Sequence, residues 1–247
     1  MASKKYKNPP IEEALCEFAF ASETPQIDFT LPGKLVNHEK TKEYSGPSRT
    51  QNVQTIMAPV NAAPFAVHDA VARIQMPTPD GKKLLAVGAN TLSVSILKPY
   101  DGWEAFKPRL EAALTAYSEV TGQTNVQRIG LRYINRIIVP TPDANASEYL
   151  TQVNWAHESL GILQNSFMSR EEYLQADGAR IIVQQVTLLP ADPGTTEYLI
   201  DVDAVWNAGL VEGLDAIMAK AEELHTIEGL AFEGLITTKS RELFDAD

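Results

Sequence analysis

Arg128, Arg132 and Arg136 recur at four-residue spacing in an apolar segment, the arrangement in this chain best suited to binding chemistry. Residues at even spacing on a strand share a face, so the three guanidinium groups line up ~13 Å apart with Gly130 and Ile134 between them. Ile129, Leu131, Tyr133 and Ile137 then turn to the core. A guanidinium offers a planar fork of donors that fits phosphate or carboxylate oxygens, so the stripe suits a small anionic ligand or an acidic partner. A purely structural reading stands beside it. Asp201 and Asp203 share one face of a later strand, opposite Tyr198, Ile200 and Val202, and cross-strand ion pairs would occupy the same donors. Gly130 favours the binding role, because a missing side chain leaves room for a ligand or another backbone.

Other chemistries find little support. His38, His68, His157 and His225 stand far apart with no HxH, HExxH or CxxC spacing, so no metal site is expected. The single cysteine, Cys16, lies in an apolar strand, where a thiol is an inert core residue rather than an activated nucleophile. No GxSxG elbow, GxGxxG or GxxxxGK[ST] loop occurs, so no catalytic residue and no cofactor are expected. The acidic pairs Glu12-Glu13, Glu171-Glu172 and Glu222-Glu223 are sequence neighbours and mark solvated surface. Trp103, Trp155 and Trp206 each fall near the end of an inferred element and read as caps on a core.

The elements that must position these residues follow from periodicity. Asn8, Pro9 and Pro10 hold the chain extended ahead of a strand, Ile11 to Phe20, whose Cys16, Phe18 and Phe20 share a face. A short helix is expected over Lys34 to Tyr44, then strands at Val53 to Met57, Ala70 to Met76, Lys83 to Val87 and Thr91 to Leu97, with Asp80-Gly81 as a hairpin turn. Asp101 and Glu104 have capping-box spacing ahead of an amphipathic helix carrying Phe106, Leu110, Leu114 and Tyr117, in which Pro108 fits badly and which Gly122 ends. The order then restarts: strand Arg128 to Val139, a helical turn at Ser147 to Val153, strands Gly161 to Tyr173, Ala179 to Leu189 and Glu197 to Val205, and a helix Leu210 to Leu224. Shifting the first long helix by 104 residues pairs Phe106 with Leu210, Leu110 with Leu214 and Ala113 with Ile217, apolar throughout. Either this is internal duplication, or two amphipathic helices simply match at some shift.

The expected fold is therefore α+β, a mainly antiparallel sheet built from two similar halves, residues 1–122 and 123–247, joined as one unit. With 44% hydrophobic residues among 247, the chain has a core to bury. Its 32 acidic against 21 basic side chains give a net charge of −11, which disfavours broad nucleic-acid binding and anionic membranes and suits a basic protein partner. The lone cysteine, and the absence of a signal-like or membrane-spanning stretch, point to a soluble cytoplasmic protein.

Three strings carry a resemblance: YKNPPIEEALCEF at Tyr6 to Phe18, RIGLRYIN at Arg128 to Asn135 and LHTIEGLAFEGLIT at Leu224 to Thr237. They resemble the opening, central and closing motifs of a family of uncharacterised, patchily distributed bacterial proteins of similar length. The resemblance implies a shared fold and no reaction. Patchy distribution is associated with mobile and defence cassettes, so a non-catalytic binding, immunity or regulatory protein is one expectation. A small-ligand or nucleotide-sensing module that uses the arginine strand is another, and an enzyme of unrecognised mechanism is a third.

Overall fold

Ala14, Cys16, Phe18 and Phe20 are at most 1% exposed while the residues between them are only half-buried, the alternation of a strand with one face against a core. The computed structural model describes residues 5–21, 27–57, 66–151 and 166–245, with side-chain surroundings outside 51–72. Among the described residues ten strands form one antiparallel sheet. In chain order they are β1 (Ile11–Phe20), β2 (Arg49–Met57), β3 (Ala66–Pro77), β4 (Lys83–Val87), β5 (Thr91–Leu97), β6 (Asn125–Val139), β7 (Met168–Leu174), β8 (Arg180–Leu188), β9 (Thr196–Trp206) and β10 (Val211–Glu212). Four helices accompany them: α1 (Leu31–Val36), α2 (Trp103–Thr121), α3 (Leu214–Leu235) and α4 (Thr238–Asp245), with a 3-10 turn at Ala146–Glu148.

Across the sheet the order is β2-β3-β4-β5-β1-β6-β9-β8-β7, with the short β10 also on β6. The two strands that open the halves thus lie side by side at the centre, Cys16 opposite Leu131 and Glu17 opposite Gly130. Outward from β1 run β5, β4, β3 and β2; outward from β6 run β9, β8 and β7. The expected α+β class and antiparallel sheet are observed.

One face of this sheet carries the helices. Phe18, Phe20, Val94 and Leu131 pack beneath α2 and the first half of α3, whose Phe106, Leu110, Ala113, Ile217, Ala221 and Leu224 are at most 2% exposed. Ile137, Ile200 and Val202 meet Phe232 and Leu235 of α3 and Phe244 of α4 in a second cluster. No described helix covers the opposite face.

Several expected boundaries move. The first helix is Leu31–Val36, not Lys34 to Tyr44, because Pro32 suits a first helical turn and the chain turns repeatedly from Asn37 on. Helix α2 begins at Trp103 behind Gly102, whose φ of 98° is a conformation side chains avoid, and no side-chain cap bond forms, so the Asp101–Glu104 box is not used. Pro108 lies inside that helix, and Gly122 ends it in the left-handed conformation. The last long helix starts at Leu214 and runs to Leu235, because Val211 and Glu212 still pair with β6. Leu210 and Leu214 are consequently 52% and 38% exposed, and the first two pairs of the 104-residue shift fail. Of the expected strand Gly161 to Tyr173, the structure supports β7, and residues 161–165 lie outside the described residues, as do Trp155 and His157.

Candidate functional site

Strand β6 sends Ile129, Leu131, Tyr133 and Ile137 to the helices, each at most 2% exposed, so Arg128, Arg132 and Arg136 all stand on the helix-free face. Carboxylates on both neighbouring strands meet them. Arg132 grips buried Asp201 of β9 with Nε at 2.7 Å and with Nη2, a bidentate pair. Arg136 donates from Nε to Glu197 at 2.6 Å, and Glu197 is 2% exposed. Arg128 reaches the other way, from Nη1 to Glu17 of β1 at 2.7 Å, while its Nη2 lies 3.9 Å from Asp203. Glu17 is also paired with Arg73 of β3. The expectation of cross-strand pairing with Asp201 and Asp203 is met for Asp201, and Glu17 and Glu197 complete the network.

Gly130 has a specific role here. A Cβ at that position would fall 3.0 Å from Nη2 of Arg128, so the space left by the missing side chain is filled by the neighbouring guanidinium. Asp203 pays for its position: burial pushes its carboxyl up to about 6, against the opposing pull of Arg128 and Arg132.

Strand register extends the pattern across the sheet. One row runs Arg49, Gln75, Ala86, Ser93, Glu17, Gly130, Val205, Arg180. Arg73, Arg132 and Arg136 share its face, as does Arg170, opposite Gln184. Seven of the chain's nine arginines, all but Arg109 and Arg241, therefore stand on the helix-free face. Among the described side chains seven carboxylates accompany them there: Glu13, Glu17, Glu172, Glu197, Asp201, Asp203 and, opposite Asn125, Glu212. Half-buried Leu15, Ile134, Leu199 and Ile182 lie between the charges.

Beneath the helices lies a second polar group. Tyr133, the one polar residue among the helix-facing residues of β6 named above, meets the Tyr100 hydroxyl at 2.9 Å and Nδ1 of His225 at 3.3 Å. His225 stacks on Trp103 with ring centroids 4.3 Å apart, and Trp103 Nε1 donates to Glu222 at 2.9 Å, which also pairs with Lys107. Three residues beyond His225 on α3, Glu228 is 5% exposed and has no hydrogen bond or ion pair among the described residues. Burial raises its carboxyl well above the usual range and lowers the His225 imidazole, so in both the uncharged form is favoured. Such a group ties α2, α3 and the sheet together. Burial also pushes the Cys16 thiol up, away from reactivity.

Sequence reasoning missed this cluster. The available signal was an acid at position 228, where the spacing of Ile217, Ala221 and Leu224 demands an apolar residue. Elsewhere His38 pairs with Glu119, and among the described residues no group of His, Cys, Asp and Glu could hold a metal ion. Comparison of the chain with protein-family models and with curated proteins finds no match.

Proposed function

We propose that the protein is a non-catalytic interaction protein that docks a basic protein partner on its helix-free sheet face. The observation that carries this reading is the composition of that face. Among the described side chains its seven arginines and seven carboxylates balance, so this face adds nothing to the chain's net −11. A near-neutral surface of arginine and aliphatic side chains has the make-up of an interface centre, and its acidic surroundings favour a partner with basic flanks. The same acidity opposes a second copy of the chain. Salt bridges within the face hold the guanidinium groups in place before contact, which lowers the ordering cost of binding.

Arg132→Ala is a poor probe, because it strands the buried Asp201 carboxylate and destabilises the fold. Ile134→Lys is better: Ile134 sits opposite Glu13 on one side and Asp201 on the other, so a lysine there is met by acids while the apolar centre is lost. Affinity purification from the native host at low and high salt should yield a basic protein with the wild type and lose it with Ile134→Lys at unchanged Tm. A partner retained by that variant, or one whose capture is indifferent to salt, would overturn the assignment.

A further inference from the structure

The resemblance string Asn8-Pro9-Pro10-Ile11 does more than lead into β1. Together with the β5–α2 connection, the end of β6 and helix α4 it lines a half-open pocket of about 490 Å³ at one end of the central strand pair. That volume lies in the range of small-molecule sites. Its walls are apolar and stiff: Pro9, Pro10, Pro99, Ile138 and Phe244 contribute, with Tyr100 joining them. Backbone bonds fix the segments to one another. Asn8 N–H donates to Phe244 O at 2.8 Å, Arg136 N–H to Pro10 O at 2.8 Å and Lys98 N–H to Glu12 O at 2.9 Å.

The charges lining this pocket are of one sign. Lys7, Lys98 and Arg136 border it, and no carboxylate does so among the described residues, in a chain whose net charge is −11. Arg136 and Lys98 have carboxylate neighbours outside the lining yet keep donors. Arg136 holds Glu197 through Nε and Nη2, leaving Nη1 without a hydrogen bond among the described residues. Lys98 meets a single oxygen of Glu12, at 2.8 Å, with one of its three N–H groups. Tyr100, in the wall, carries its hydroxyl into the buried Tyr133 and His225 bonds, so the wall is anchored to the core beneath α3.

We infer that this pocket is a binding site for a small organic anion, an apolar ring or short acyl body ending in a carboxylate or phosphate. The apolar body would lie against the prolines and Phe244, and its anion would meet Arg136 Nη1 and Lys98 Nζ. This inference does not rest on the docking face; it requires only the pocket.

Titration calorimetry with three probes of the same apolar ring tests it: phenyl phosphate, benzoate and uncharged benzyl alcohol. Either anion or both should bind one to one with a Kd on the order of 10⁻⁴ M, and benzyl alcohol at least tenfold more weakly. The stronger of the two anions tells phosphate from carboxylate recognition. Lys98→Ala, at a half-exposed side chain, should weaken the anion severalfold at unchanged Tm. Ile138→Trp, at a side chain 47% exposed, should fill the pocket and abolish binding at unchanged Tm. Equal affinity for benzyl alcohol, no binding of either anion at 10 mM probe (about a hundred times the expected Kd), or binding indifferent to both variants would overturn the site.

Discussion

Asp203 shows how much of the helix-free face is decided one side chain at a time. Its neighbour Asp201 takes both donor positions of Arg132, and Arg128 turns to Glu17, so Asp203 is left with a contact of 3.9 Å and most of its hydration removed. Its pKa of about 6 lies above the value of an unfolded aspartate near 3.9. Between pH 4 and 6 the native state therefore keeps a proton the unfolded chain has released, and this residue lowers stability as pH rises through that window. Asp203→Asn should match the wild type near pH 4 and exceed it by on the order of 2 kcal/mol at pH 7, measured by urea unfolding across the range. A constant difference between the two proteins would contradict the assigned shift. Period-2 reading was enough to place the three arginines and both aspartates on strand faces. It could not reveal that Glu17 and Glu197 complete the pairs, because which strands lie adjacent is settled by tertiary packing rather than local pattern.

At the scale of elements the two long helices begin by the same device. Gly102 and Gly213 precede α2 and α3 with φ of 98° and 81°, and neither N-cap makes a side-chain bond. A positive φ turns the chain sharply off the sheet, and the helix starts at the next residue whatever capping residues stand upstream. Gly102→Ala should cost about 1 kcal/mol or more through backbone strain alone, since a Cβ there would meet nothing within 4 Å, and chemical denaturation would measure it. An unchanged midpoint would show that the turn does not set the helix start. Hydrophobic spacing identified both helices and put Phe106, Leu110, Leu114, Ile217 and Leu224 in the core correctly. It failed at Leu214, which continues the apolar spacing but precedes the first buried turn, and it stopped α3 at Leu224, one turn before the buried Glu228 that breaks the apolar rule. Helix α4 was missed because it is short and mostly polar, although its buried Ser240 and Phe244 stand four residues apart on one face.

For the whole molecule the decisive fact is that one sheet runs through both halves, with β1 and β6 paired along most of β1. Residues 1–122 alone would leave that edge of β1 bare and strip Leu131, Ile217 and Leu224 from the first core cluster. Such a fragment should show no cooperative unfolding as a monomer and should self-associate, as size-exclusion chromatography with circular dichroism would detect; a monomeric, cooperatively folding fragment would make the halves independent. Nine of the ten described strands could be read along the chain, β10 falling inside the expected helix Leu210 to Leu224, whereas the order β2-β3-β4-β5-β1-β6-β9-β8-β7 could not, because nothing local tells a strand which distant edge it will join. The central place of β1 also bears on how the protein is made. On the ribosome β1 emerges before both its neighbours, since β5 ends only at Leu97 and β6 at Val139, so one edge of β1 waits on the order of ten seconds for its partner. A ten-residue segment with Leu15, Phe18 and Phe20 would aggregate over such a wait, and the three glutamates set among them act as gatekeepers until the sheet closes. Glu17, later bound by Arg73 and Arg128, thus serves the nascent chain before it serves the fold.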